Sequence, residues 1–229
     1  MFQISQRIIF TTLFLAGIGC FSGMSQDAGA NTVSKDSSVT PFQKGRWLTG
    51  LNGSFNSSTL ELRSSDDLIA TNSYALEIFS GTFFKDRWFL GANIVARSSS
   101  GNGLVDTESE TLLIGPSIQY YFLNESYGSL YVSVLPGYIR LRESSTLEVG
   151  NRSVTELAEG PGFAIRTRLG FAYALSKRVI LDVGVGSTFN WIDVRYDSEL
   201  QQNVFKESIF ANSTFFSFGF NVLLDEFFF

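Results

Sequence analysis

The residues that could do chemistry in this 229-residue chain are charged side chains set within segments of alternating apolar and polar residues. Glu77, Arg97, Arg166, Arg168 and Asp182 all fall on the polar side of that alternation. Carboxylates and guanidinium groups that share one interior could line a selective or proton-linked path. They could equally pair with one another and simply neutralise buried charge.

Catalysis is not predicted, because the chain contains no histidine, the commonest general base near neutral pH. No Gly-x-Ser-x-Gly nucleophile motif is present, and the glycines lack the Gly-Lys-Ser/Thr ending of a phosphate loop. The densest acidic stretch, Asp106–Glu110, lacks the spacing of a calcium loop. We therefore predict no catalytic residue, no cofactor and no metal site.

The composition favours a membrane protein or an unusually aromatic β protein. Charged residues make up 17% of the chain, whereas soluble domains carry about 25%. The chain has 23 phenylalanines and 4 prolines, with a mean hydropathy of +0.11. Its net charge of −5 argues against binding to nucleic acid.

The first 26 residues have the pattern of an export signal. Arg7 precedes an apolar stretch, Ile8–Phe21, and small residues follow, so that cleavage could occur as late as residue 30. A membrane anchor and a lipid-modified Cys20 are the alternatives. Removal of the signal would leave no cysteine for a disulfide or a thiolate metal site. Residues 27–44 are small and polar and are predicted to form a flexible leader before a domain that spans residues 45–229.

Eight segments of this domain read as long strands. Each is long enough to cross a bilayer as a tilted strand, which takes about 9–11 residues. The longest uncharged run after the signal, Ser208–Leu224, is too short and too polar for a spanning helix. The predicted strands are Arg46–Ser57, Ser73–Phe84, Trp88–Ser98, Thr111–Phe122, Ser129–Leu141, Gly162–Leu175, Val179–Val194 and Ala211–Leu224.

The alternation within these segments indicates which solvent each face meets. In Phe163–Leu175 the aromatic and aliphatic residues share one face, while alanine, glycine, Arg166 and Arg168 share the other. A soluble exterior usually carries abundant Lys and Glu, so a small, sparsely charged face fits a narrow lumen and the apolar face fits lipid. The predicted fold is all-β, an eight-stranded antiparallel up-and-down transmembrane β-barrel. Its lumen is just wide enough for side chains to fill, which favours a structural network for the five inward charges.

Turn positions predict the register of two hairpins. Pairing Phe84 with Trp88 makes Glu77 and Arg97 point inward together. Pairing Leu175 with Val179 places Arg168 opposite Gly186, where a glycine would leave room for a long side chain.

The connections between predicted strands alternate in length. Residues 85–87, 123–128 and 176–178 are short, whereas residues 58–72, 99–110, 142–161 and 195–210 are long. The long ones carry 13 Asp or Glu against 5 Lys or Arg. Outer-membrane barrels have short periplasmic turns and longer extracellular loops, so the sequence predicts four acidic loops outside the cell.

The segments Gly81–Ile94, Ile114–Phe122 and Leu175–Gly186 resemble the OmpX- and OmpA-barrel-like family of small outer-membrane β-barrels, as it occurs in Bacteroidota. Gly81, Phe83, Asp86, Leu90 and Gly91 match a recurrent hairpin of that family. Gly115, Pro116 and Tyr120–Phe122 match one of its strands, in which Gln119 stands where arginine is common. The resemblance implies the outer membrane of a Gram-negative bacterium. It also implies that Phe229 is a signal for the barrel-assembly machinery.

These observations predict a non-enzymatic outer-membrane protein with a structural role in the envelope or a recognition role through its acidic loops. A narrow pore or conduit for small solutes is the alternative, and a soluble lipocalin-like barrel with an internal ligand is a third reading. The expected partners are outer-membrane lipid and lipopolysaccharide, the assembly machinery and an extracellular ligand of the loops. A monomer is expected.

Overall fold

The computed structural model describes residues 40–61, 68–102, 105–123, 125–149, 152–198 and 201–225. The predicted signal peptide, most of the predicted leader and Phe229 lie outside these residues. Every regular element in the described part of the chain is a β-strand. Within those residues, no helix has the length and apolar character needed to cross a membrane.

Eight antiparallel strands close into one barrel, in which each strand pairs with the next along the chain and the last pairs with the first. This confirms the predicted eight-stranded up-and-down transmembrane β-barrel. The strands are β1 Trp47–Glu61, β2 Leu68–Lys85, β3 Trp88–Asn102, β4 Val105–Tyr121, β5 Gly128–Val149, β6 Arg152–Ala174, β7 Val179–Ser198 and β8 Gln201–Leu224.

The two faces of each strand follow the predicted alternation. On β8, Phe218 and Phe220 are exposed on the outside, whereas Ser217 and Asn221 are buried inside. The same contrast recurs on the other strands and leaves a broad band of large apolar side chains on the outer wall. Such a band is stable in lipid, while the polar interior needs partners of its own.

The register agrees with the turn-based predictions along the strands, since Gly81 pairs with Gly91 and Arg168 pairs with Gly186. The predicted pairing of Phe84 with Trp88 was wrong, because the strand shifts register between Phe83 and Lys85 and Trp88 pairs with Lys85.

Starting at Phe55 on β1 and moving from each residue to its direct partner on the next strand, one passes around the barrel and arrives at Lys206 on β8. Phe55 itself pairs with Phe216 on β8, so the path closes ten residues away (206 to 216). This stagger requires the strands to tilt and fixes which side chains meet across the narrow interior.

The strands are longer than the sequence predicted at one end of the barrel. We call this the distal end, and the end with the turns at 86–87 and 175–178 the turn end. β6 begins at Arg152 rather than at Gly162, and β8 begins at Gln201 rather than at Ala211. The prediction of four long loops was therefore wrong for most of their residues, which continue the hairpins. Where both faces meet water, pairing no longer requires apolar alternation, so the pattern disappears before the strand ends.

Candidate functional site

A buried ion-pair network crosses the middle of the lumen between β2 and β6. The carboxylate of Glu77 lies 3.5 Å from Arg168 Nη1 and 3.6 Å from Arg166 Nη2. The two arginines point inward from alternate positions of β6, and Arg166 also lies over the ring of Phe215, 3.6 Å from its centre. One carboxylate thus faces two guanidinium groups inside a closed wall.

Asp182 on β7 supplies the second carboxylate of this network. Its Oδ1 lies 3.9 Å from Arg168 Nη1 and accepts a 2.7 Å hydrogen bond from the Tyr131 hydroxyl. The amide of Asn221 donates to the other carboxylate oxygen at 3.3 Å. Arg168 therefore lies between Glu77 and Asp182, and the described network holds two acids and two bases.

Arg97 is the fifth charged residue that the sequence predicted to point inward, and it forms hydrogen bonds with residues outside the ion-pair network. Its guanidinium donates to Ser213 Oγ at 2.7 Å and to Ser73 Oγ at 3.1 Å. It is partly rather than fully buried and is held by neutral hydroxyl groups. The structure thus brings four of the five predicted residues together and places Arg97 beside them with different partners.

Several neutral residues of the network were not singled out from the sequence. Asn93 donates to Glu77 at 2.5 Å and accepts a 2.6 Å bond from the Ser117 hydroxyl. Tyr131 and Asn221 hold Asp182 in the same way. These four neutral residues occupy inward-facing positions in the alternation of their strands, as the charged residues do. That alternation is the signal that could have identified them.

Glycines on β7 make space for the ion-pair network, but the glycine that leaves room for Arg168 is not the one that the sequence predicted. Arg168 is paired with Gly186, but a Cβ at Gly186 would instead meet the ring of Phe215, at 2.5 Å. A Cβ at the neighbouring inward position, Gly184, would come within 3.3 Å of Arg168 Cδ. The arginine therefore occupies the space above Gly184, and Phe215 occupies the space above Gly186.

The turn end of the lumen is filled by aromatic side chains. Phe79, Phe83 and Phe89 pack edge to face, with ring centroids 5.7–6.0 Å apart. Tyr121 joins them and stacks on Phe42 at 4.1 Å. Each of these rings is almost completely buried, so the cluster seals this end.

Phe42 belongs to the predicted leader, yet it is completely buried. Its carbonyl accepts the N–H of Arg87, a residue with the left-handed φ of 68° in the β2–β3 turn. The N–H of Lys44 donates to Asp86 in that turn at 2.8 Å. Arg46 forms an ion pair at 2.8 Å with Asp225, which directly follows β8. We call residues 40–46 the mouth segment.

The lumen lining changes again towards the distal end. Leu113, Leu135 and Ile139 form a buried aliphatic cluster with inward residues of the neighbouring strands. Ile192 and Val194 continue it on β7. The interior therefore has an aromatic layer, a charged layer and an aliphatic layer in sequence from the turn end.

This arrangement can neutralise buried charge and hold the wall closed. Because a buried carboxylate or guanidinium is costly unless it is paired, each group restrains the position of the others. Among the described residues, no group of three or more acidic, cysteine or histidine side chains could hold a metal ion.

The fold and lumen define a transmembrane β-barrel with a filled interior. Several solved structures are similar to this chain. The outer membrane protein OprG from Pseudomonas aeruginosa is 13% identical, with a TM-score of 0.50 over 81% of this chain and 99% of that one. The outer membrane protein AlkL is 15% identical, with a TM-score of 0.48 over 88% and 97%. Neisserial surface protein A is 16% identical, with a TM-score of 0.43 over 78% and 96%.

At these identities the likeness to OprG supports the fold alone. No protein-family model and no curated protein sequence matches this chain.

Proposed function

We propose that the protein is a closed, non-enzymatic barrel of the Gram-negative outer membrane that works through its outer surfaces, with a structural role in the envelope or a recognition role at the cell surface. The single observation that carries this proposal is the filled lumen. A conduit needs a continuous path, whereas this interior is blocked twice, by the aromatic layer with Phe42 and by the ion pairs of Glu77 and Arg168.

The outer wall supports the proposed location. Aromatic side chains gather at the turn end, where Trp88 lies 4.8 Å from the ring of Tyr120. Interfacial belts of Trp and Tyr are typical of membrane barrels. In this orientation the turn end faces the periplasm, and the hairpin extensions at the distal end reach out of the cell. Recognition would then use these extensions rather than free loops.

The proposed partners follow from the same orientation. Outer-membrane lipid and lipopolysaccharide would contact the wall, and an extracellular ligand would contact the hairpin extensions. The role of Phe229 as an assembly signal, and a monomeric state, remain predictions. The soluble lipocalin-like reading fits poorly, because the large apolar side chains lie on the outside.

Solute flux into liposomes tests the filled lumen against the narrow pore. Wild-type protein is refolded into liposomes, its folded state is verified by a heat-dependent shift in gel mobility, and uptake of a small solute such as glycine is measured. We expect uptake equal to that of empty liposomes, with a general porin as the positive control. Uptake clearly above empty liposomes would overturn the proposal and restore the pore.

Phe42→Ala makes the same experiment sharper. The substitution removes the cap of the aromatic layer but leaves the ion pairs of Glu77 in place. We expect this variant to stay closed as well, since the second barrier remains. Phe220→Ala, which removes an outward ring from β8, is the matched control.

A further inference from the structure

A row of aromatic side chains crosses four strands on the outer wall near the distal end. Tyr138, Phe163, Trp191 and Phe210 are direct cross-strand partners on β5, β6, β7 and β8. All four are exposed, and the Trp191 ring lies 6.1 Å from that of Phe163 and 5.3 Å from that of Phe210. Rings in this position mark the boundary between hydrocarbon and headgroups. We call them the aromatic row.

A charged row lies four residues further towards the distal end on each of the same strands. It consists of Arg142, Glu159, Arg195 and Lys206, again as direct cross-strand partners. Four residues span about 13 Å along a strand, which places this row at the level of lipid headgroups.

A depression in the wall lies between the two rows. It has a volume of about 610 Å³ and is lined by Tyr138 below, Pro161 at its centre, and Arg195 and Lys206 above. The β6–β7 ladder has no paired residues at Gly160 and Pro161. Proline has no N–H to donate, so the strand pairing is interrupted where the depression forms.

Three cations and three acids line this depression, with Glu207 as the third acid, but they are not balanced pair by pair. Glu159 is paired with Arg140 at 3.6 Å, and Asp193 accepts the Ser208 hydroxyl at 2.6 Å. Arg195 and Lys206 lie directly opposite each other on β7 and β8, and neither makes an ion pair with another described residue. Like charges at opposed positions are destabilising, so this pair favours an anion from outside the protein.

We propose that Arg195 and Lys206 bind the phosphate of a phosphorylated, acylated glycolipid in the outer leaflet, whose acyl chains lie against the aromatic row. Arginine and lysine both bind phosphate, arginine through paired donors and lysine as a point charge. The aromatic row beneath them supplies the apolar contact that a free phosphate could not use. This inference rests on the proposed outer-membrane location.

The charge distribution of the distal end supports a local site rather than a general attraction. The regions 58–72, 99–110, 142–161 and 195–210 are acidic, with 13 carboxylates against 5 cations. Arg142, Arg195 and Lys206 are three of those 5 cations and lie in one charged row. A phosphorylated headgroup would therefore be attracted here and repelled elsewhere on this end.

Binding of bisphosphorylated lipid A to the full chain in detergent micelles tests this proposal, with dephosphorylated lipid A as the comparison. Native mass spectrometry gives the two dissociation constants for wild-type protein and for Arg195→Gln, Lys206→Gln and the double variant. We expect phosphorylated lipid A to bind about fivefold more weakly when either cation is removed. The double variant should bind more weakly than either single variant, without strict additivity, because the two neighbouring cations share one phosphate. Binding of dephosphorylated lipid A should not change.

Lys85→Gln/Lys177→Gln removes two exposed cations from the turn end and is the matched control, for which we expect wild-type affinity. Lys206→Arg should keep the affinity, and the gel shift verifies that each variant is folded. Equal binding of both lipids by wild-type protein would overturn the inference. Displacement of the lipid by an equal concentration of inorganic phosphate would overturn the assignment to a lipid. Neither outcome would affect the flux result, so the two proposals can fail separately.

Discussion

Two of the barrel's arginine–carboxylate contacts have nearly the same length and opposite surroundings. Inside, Arg168 lies 3.5 Å from Glu77, and the two side chains are 3% and 6% exposed. On the outer wall, Arg140 lies 3.6 Å from Glu159, and these side chains are 65% and 49% exposed. The distance between the charges is almost equal, so solvent decides how much each contact contributes.

Burial raises the cost of breaking an ion pair, because a buried charge that loses its partner cannot be hydrated instead. Removing one member of a buried pair costs about 3–5 kcal/mol, most of it from the charge left behind. Exposed pairs contribute about 0–1 kcal/mol, since water and salt screen them. The inner network therefore specifies a closed interior, whereas the outer charges remain available to ligands.

The largest effect is expected for Arg168→Ala. The substitution leaves Asp182 without its cationic neighbour and weakens the compensation of Glu77. We expect the free energy of unfolding to fall by about 3–5 kcal/mol. Urea unfolding of the refolded protein in micelles, followed by tryptophan fluorescence, measures the change.

Arg97→Ala is the matched control for this prediction. Arg97 is also an inward arginine, but it donates to the hydroxyls of Ser213 and Ser73 rather than to a carboxylate. Its loss should therefore cost clearly less than the loss of Arg168. Equal losses in the two variants would show that burial of the side chain, and not charge compensation, gives the inner network its strength.

A smaller effect is expected for Tyr131→Phe, which removes one hydroxyl from the inner network. That hydroxyl donates to the carboxylate of Asp182 at 2.7 Å. Hydrogen bonds to charged groups contribute about 1.5–3 kcal/mol, and neutral ones about 0.5–1.5 kcal/mol. We expect a loss in the first range, measured by the same unfolding experiment.

Tyr121→Phe is its control, because the Tyr121 hydroxyl donates to the neutral amide of Gln119 at 2.9 Å. Both tyrosines are almost completely buried, so the two variants differ mainly in the charge of the acceptor. A loss for Tyr121→Phe as large as that for Tyr131→Phe would contradict a special contribution from the charged layer.

The fold could be predicted because lipid imposes a pattern that water does not. Each membrane-spanning strand alternates between lipid and lumen, as Phe218 and Ser217 illustrate, and the turns fix the pairing of Arg168 with Gly186. The pattern fails at the distal end, because alternation is not required where both faces of a hairpin meet water, whereas the strands themselves begin as early as Arg152 and Gln201. The predicted strands were therefore too short there.

The inner network could be predicted only in part. The alternation indicates that Glu77 and Arg168 point inward, but their contact crosses the lumen between β2 and β6 and depends on the stagger of the barrel. The mouth segment carries no periodic signal at all, since a few residues around Phe42 are too short to show one. Its burial depends on an aromatic layer contributed by three different strands.

The smallest effect is expected for Arg140→Gln on the outer wall. The substitution breaks the contact with Glu159, but both side chains remain hydrated, so the free energy of unfolding should change by less than about 1 kcal/mol. Raising the salt concentration from about 0.1 M to 1 M should remove even that difference, because the Debye length falls from about 10 Å to 3 Å. The effect of Arg168→Ala should persist at 1 M salt, since ions do not reach a side chain that is 3% exposed. A loss for Arg140→Gln that matched Arg168→Ala and resisted salt would mean that the outer pair is shielded, by lipid or by a bound headgroup, and would remove the contrast between the two contacts.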